Sequence, residues 1–175
     1  DETSRGLGDV YKRQVTVGNA CPITDGSSAF LMASEEAVEK YKLEPMAKMV
    51  EYHFDGLEPE RMGMGPLRAI NGVFERTGLS MQDMDLVEIN EAFAAQIIAV
   101  RKALADKEVA ARFGVEKAWG DIPDDKFNVN GGGIALGHPV GSTGCRIVVT
   151  LAHELKRRGG KYGLASLCIG GGQGG

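Results

Sequence analysis

Glycine in this chain is bunched: Gly131, Gly132, Gly133, Gly137, Gly141 and Gly144 fall in one stretch, and Gly170, Gly171, Gly172, Gly174 and Gly175 in another. A flexible linker spreads its glycines evenly, whereas clusters at the ends of apolar runs mark places where the backbone turns sharply or approaches another group closely. The first cluster follows Phe127-Asn128-Val129-Asn130, and the second follows an apolar run over residues 162–169. Each therefore marks the end of a strand, where loop side chains and free backbone N–H groups converge.

The hydrophobic pattern between the clusters alternates strand with helix. Residues 34–40 read as a helix capped by Ser34, with acids in the first turn. Residues 47–54 read as a strand. Gly65-Pro66 opens a helix with Leu67, Ile70 and Phe74 on one face, closed by Gly78. Residues 86–89 form a strand, followed at once by a helix with Phe93, Ile97, Val100 and Leu104 in phase. Residues 105–125 are polar and irregular, with Trp119 covering a surface. A helix over residues 145–158 buries Ile147, Val148, Leu151 and Leu155, and residues 162–169 form the last strand. This order predicts an α/β domain in layers, with a mainly parallel mixed sheet and helices on its faces. Residues 1–14 show no periodicity and read as a non-native or disordered tail, leaving residues 15–175 as a single domain.

Composition narrows the classes. With 43% hydrophobic residues in 175, the chain can bury the core of one domain. Its 20 basic and 24 acidic residues are interspersed, so no field suited to nucleic acid arises. No run is long and apolar enough for a membrane span, and a soluble, cytoplasmic protein is expected. Cys21, Cys145 and Cys168 form no Cys-x-x-Cys pair, which fits a reducing compartment and no metal site.

Three strand ends carry residues capable of chemistry: the amide of Asn90, the imidazole of His138 and the thiol of Cys168. Each also has a purely structural reading. Asn90 suits a helix cap, His138 a satisfied loop histidine, and Cys168 a small buried hydrophobe. Against this stands the glycine run after Cys168, whose N–H groups are free to hold an oxyanion beside the sulfur. Gly131, Gly133 and Gly137 resemble a dinucleotide loop only loosely, since His138-Pro139 sits where the pyrophosphate-binding helix would begin. No lysine follows for a phosphate loop, and His153-Glu154-Leu155-Lys156 lacks a second histidine for zinc.

Taken in order, Val15-Thr16-Val17-Gly18-Asn19-Ala20, Asp25-Gly26, Met62-Gly63-Met64-Gly65-Pro66, Asn90-Glu91-Ala92-Phe93-Ala94-Ala95-Gln96, the glycine run to Gly144 and the segment from Cys168 to Gly174 closely resemble the thiolase family. The resemblance implies a thiolase C-terminal domain without its final strand. It implies that the missing N-terminal half carries the acylated cysteine, since none of the three cysteines here lies in that motif. The chain alone is thus expected to be inactive, and the complete protein to be a homo-oligomer using coenzyme A thioesters as substrates, with no cofactor.

On the matched positions, His138 resembles the base that deprotonates the nucleophile and a donor to the thioester oxygen of the second substrate. Asn90 resembles the residue that holds a water as the other donor. Cys168 resembles the acid/base that moves a proton on the acetyl methyl, a task for which a depressed pKa is expected. The Gly170 N–H resembles a donor of a second oxyanion hole. Met62, Ala92 and Phe93 match walls of the acyl and pantetheine pocket. Cys21 stands where the family usually has a serine against the pantetheine arm. The loop around Gly63 and the triple glycine are similar to short-chain, biosynthetic members, which implies an acetyl-CoA acetyltransferase. The alternatives are a degradative 3-ketoacyl-CoA thiolase of fatty-acid β-oxidation and a noncatalytic thiolase-like protein that binds lipid. The three polar residues argue against the last.

Overall fold

The computed structural model describes residues 14–175, so all but Gln14 of the expected tail lies outside the described residues. Helix α1 (Glu35–Tyr41) starts at Ser34, whose Oγ accepts the Ala37 N–H at 3.2 Å. Strand β1 (Asp55–Gly56) leads into a 3-10 turn, Pro59–Met64, and then α2 (Gly65–Thr77), which Gly78 closes at a left-handed φ of 71°. Strand β2 (Leu86–Ile89) precedes α3 (Ala94–Ala105) and the short α4 (Lys107–Ala111). The short α5 (Gly133–Leu136) and long α6 (Val140–Arg158) follow, then β3 (Gly163–Ser166), β4 (Cys168–Ile169) and β5 (Gln173–Gly174).

The α/β class is as expected, and the strands divide between two small sheets. β2 and β3 pair in parallel, while β1, β5 and β4 form an antiparallel sheet in that order. The expected single strand over residues 162–169 changes partner at Leu167. Leu167 exchanges backbone hydrogen bonds with Gly175, 2.9 Å and 3.1 Å, instead of continuing along β2. The expected strand over residues 47–54 is not formed. Its side chains, among them Met49, Val50, Tyr52 and Phe54, lie exposed, and only Asp55–Gly56 pairs. Among the described residues, nothing covers these apolar side chains.

The core lies where α2, α3 and β2 meet, around Leu67, Ile70, Phe74, Val87, Ile89, Val100 and Leu104. Trp119 belongs to it and does not merely cover a surface. It is 4% exposed, packs on Phe74 with centroids 5.3 Å apart and donates its indole N–H to Asn71 Oδ1 at 2.9 Å. Burying an aromatic of that size is among the larger single contributions to such a core. Helix α6 begins at Val140, ahead of the expected residue 145, and covers β2 and β3. Among the described residues, no helix is long and apolar enough to cross a membrane.

Candidate active site

Asn90 follows β2 directly, and the parallel ladder holds it: its backbone N–H donates to Ser166 O at 3.0 Å, extending the pairing of Ile89 with Ser166. Cys168 lies two residues beyond Ser166 but across the partner change, where the antiparallel pairing of β4 with β5 holds it opposite Gly174. Asn90 does not cap the helix that follows. Helix α3 starts past Phe93, and Gln96 Oε1 accepts the Phe93 N–H at 3.4 Å. The Asn90 side chain turns instead to His138, with Nδ2 3.4 Å from Nε2. Its Oδ1 is buried with no protein partner among the described residues.

The imidazole of His138 is held on both sides. Its Nδ1 lies 2.7 Å from Thr143 Oγ1, and the Thr143 hydroxyl donates to Pro139 O at 3.0 Å. A hydroxyl has one hydrogen, so Thr143 must accept from Nδ1–H. Nε2 is then left with a free lone pair facing the Asn90 amide, the tautomer that a base requires. Burial lowers the pKa of His138, and the charge of Arg146 lowers it further.

A strap over residues 19–23 ties this histidine to the start of α3. Cys21 N–H donates to Ala92 O at 3.0 Å, Ala20 bridges Phe93, Ile23 bridges His138, and the His138 N–H donates to Pro22 O at 3.3 Å. Cys21, Ala92 and Phe93 are thereby brought to the same edge as Asn90 and His138. Cys168 is buried at 7% exposure, and burial pushes its thiol up, with the neighbouring Cys21 adding to the rise. The expected depression is not found, because burial outweighs the backbone hydrogen bond that favours the thiolate.

Met62 sits in the 3-10 turn that packs on β4, with Gly63 pressed on Gln96 and Gly65 on the Gln173 carbonyl. A side chain at Gly65 would collide with that backbone, which explains the glycine. Gly170 lies at the exposed turn between β4 and β5, and the space beside its Cα is open. Among the described residues, the ring bonds of His138 go to Asn90 and Thr143, and no hydrogen bond joins the ring to Cys168 or Gly170.

Reading the sequence missed the supports of the site. Glu91 accepts from Asn128 Nδ2 at 2.9 Å and from the Ile134 N–H at 3.2 Å, pinning the glycine loop to the end of β2. Asn128 in turn bonds both backbone groups of Ile89, each at 3.0 Å. Thr143 and Arg146 look like ordinary helix residues, and only the folding back of α6 on Gly137 and His138 reveals them. The one signal in the sequence was an acid immediately after Asn90.

A protein-family model described as the thiolase C-terminal domain matches residues 43–175. The human mitochondrial 3-ketoacyl-CoA thiolase is 48% identical over 99% of this chain and 40% of its own length. An acetyl-CoA acetyltransferase of Chromobacterium violaceum is 49% identical over 91% of this chain and 37% of its own. Among solved structures, the acetyl-CoA acetyltransferase of Bacillus anthracis superposes with a TM-score of 0.79 at 47% identity, over 91% of this chain and 36% of that one. The human mitochondrial 3-ketoacyl-CoA thiolase in complex with CoA superposes at 0.75 and 46%, with the same coverage. The chain thus spans about two fifths of the relatives it matches.

Proposed function

The chain belongs to the thiolase family, carrying its C-terminal domain, and from that premise we propose that it is part of an acetyl-CoA acetyltransferase, which joins two acetyl-CoA into acetoacetyl-CoA and coenzyme A, or the reverse. The observation that carries this reading is the Asn90–His138 pair, in which a neutral imidazole presents a bare Nε2 beside an amide. In this scheme His138 Nε2 takes the thiol proton of a cysteine on the remaining part of the protein. The thiolate attacks the first thioester carbonyl, and coenzyme A leaves with the proton. The second acetyl-CoA then loses a methyl proton to the Cys168 thiolate. His138 Nε2 now carries the proton drawn off Cys168, so the enolate oxygen is held by that N–H and by a water on Asn90 Oδ1, a buried acceptor with no protein partner among the described residues. The enolate carbon attacks the acyl-enzyme carbonyl, and the expelled cysteine thiolate takes the proton back from His138.

A thiol held above its usual value is largely protonated at rest and strongly basic once ionised. That suits it to return a proton during cleavage, while condensation requires its proton to be drawn off first. The coenzyme A thioesters are substrates, and the scheme uses no metal or cofactor. The N–H of Gly170 is assigned to the acyl-enzyme oxyanion, with Met62, Ala92, Phe93 and Cys21 along the acyl and pantetheine arm. Assembly of the complete protein as a homo-oligomer belongs to the same reading. Three free thiols support a reducing interior compartment, and the mitochondrial names of several relatives leave a cytoplasmic placement without support of its own.

The loop around Gly63 and the similarity to acetyl-CoA acetyltransferases favour the short-chain substrate. A second reading, thiolysis of longer 3-ketoacyl-CoA, is favoured by the mammalian relatives that match 99% of the chain. Turnover of the complete protein on acetoacetyl-CoA against a long-chain 3-ketoacyl-CoA decides between them. A clear preference for acetoacetyl-CoA, with measurable condensation of acetyl-CoA, is expected. Preference for the long chain selects the second reading, and turnover of neither refutes both.

A further inference from the structure

Among the described residues, Arg146 is the one cation that acts on the candidate base, and the proposed reaction gives it no role. It projects from α6, and its Nη2 donates to the Gly137 carbonyl at 2.9 Å, the peptide immediately before His138. Gly137 has a φ of 89°, a conformation that side chains rarely adopt, and it is packed against Thr24, so the carbonyl is fixed at both ends. No carboxylate lies within ion-pair distance of the guanidinium among the described residues. Its charge is therefore felt by its surroundings without being cancelled at contact.

We propose that Arg146 is a positioning residue for His138: its guanidinium anchors the Gly137 carbonyl, which orients the imidazole, and sets an unpaired positive charge beside the ring. That charge disfavours the imidazolium and so supports the proton-accepting form. The proposal deepens the thiolase reading and rests on it. The groups that face His138 are Arg146 and Thr143 from α6, Asn90 at the end of β2, and the backbone of Pro22 and Ile23 in the strap. Behind Asn90 stand two carboxylates. Glu91 is engaged with Asn128 and the Ile134 N–H, and Glu88 is buried on β2. Glu88 feels Arg146 as its opposing charge, but burial pushes its carboxyl up to about 7. Below neutral pH Glu88 is mostly uncharged and cannot offset the arginine.

This makes a pattern that a merely structural arginine would not produce. In the complete protein, the acid limb of the kcat/KM profile reads the loss of the neutral base. Arg146→Gln should move that limb up by about half a pH unit, the size expected from removing one nearby partly screened charge. Arg146→Lys keeps the charge but not the planar fork, so it should lower kcat while leaving the limb where it is. Glu88→Gln should also leave the limb in place, since Glu88 is already neutral there. An Arg146→Gln limb that coincides with the wild type overturns the proposal. Should that variant fail to fold, an Arg146→Lys limb raised by half a unit overturns it equally. The rate at which diethyl pyrocarbonate modifies His138, followed by peptide mass spectrometry against pH, reads the same titration without turnover. A complete protein that cleaves no ketoacyl-CoA therefore refutes the proposed reaction while this measurement still decides the role of Arg146.

Discussion

Asn90 Nδ2 stands 3.4 Å from His138 Nε2 across 48 residues of sequence. Two backbone devices make that contact: the parallel ladder that fixes Asn90 on Ser166, and the strap whose Pro22 carbonyl receives the His138 N–H. A helix cap and a satisfied loop histidine would have no reason to meet, so the contact weighs against the structural reading of both.

Removing the amide should therefore damage chemistry more than stability. Asn90→Ala in the complete protein is expected to lower kcat for acetoacetyl-CoA thiolysis by about 10²–10³, the usual loss of one oxyanion donor. KM should change less, because the interaction strengthens as charge develops on oxygen. A kcat within a few fold of the wild type would remove Asn90 from the site.

The elements around this pair were legible in the sequence to different degrees. The helix from Gly65 to Thr77 and the strand from Leu86 to Ile89 were plain, because their periodicity is set by burial within this chain. The stretch of residues 47–54 has the same apolar character, yet among the described residues nothing covers Met49, Val50, Tyr52 and Phe54, so pattern alone predicted a strand that does not form. The partner change at Leu167 depends on hydrogen bonds to Gly175 that no local pattern encodes. Asn90 stood out at the end of a strand and His138 in the glycine cluster, although His138 sits between α5 and α6 and not at the strand end expected for it. Thr143 and Arg146 did not, because their task exists only once α6 folds back against the glycine loop. The pKa direction of Cys168 depends on burial, which is a tertiary property.

Gly133 packs the glycine loop closely against the end of β2. A Cβ there would lie 2.9 Å from the Glu91 carbonyl and 3.0 Å from Asn90 Oδ1, neither of which is the free end of a flexible chain. Gly133→Ala should push the loop off the end of β2, costing about 1–3 kcal/mol of stability as overpacking does. It should lower kcat together with Tm. A variant with unchanged Tm and unchanged kcat would show that the loop yields freely.

The large apolar side chains Phe30, Leu31, Met32, Met49, Tyr52 and Phe54 all lie exposed within one stretch of the chain, residues 30–54. A protein made of residues 14–175 alone should therefore self-associate and bind a hydrophobic dye. Light scattering and size-exclusion chromatography across a concentration series check this. A monodisperse monomer at high concentration would show that this surface is tolerated as it stands.

Glu88 supplies the clearest pH signature. It is 5% exposed on β2, and burial, reinforced by Glu91 and Glu154 and opposed by Arg146, raises its carboxyl from 4.5 to about 7. A carboxyl whose folded-state pKa is raised binds its proton more tightly in the folded than in the unfolded chain. The folded state is then favoured least where the unfolded chain has already ionised, so stability falls as pH rises from about 4.5 to about 7 and levels off above. Glu88→Gln keeps the shape of a protonated carboxyl and has no proton to lose. In the complete protein the variant should match the wild type in Tm near pH 4, gain steadily through that window, and hold a constant advantage at higher pH. The measurement is Tm against pH for both proteins in one buffer series. A constant difference across the whole range would mean that Glu88 ionises in the fold as it does in water, and a variant that loses stability at high pH would mean that Glu88 is paired there with Arg146 strongly enough to outweigh its burial.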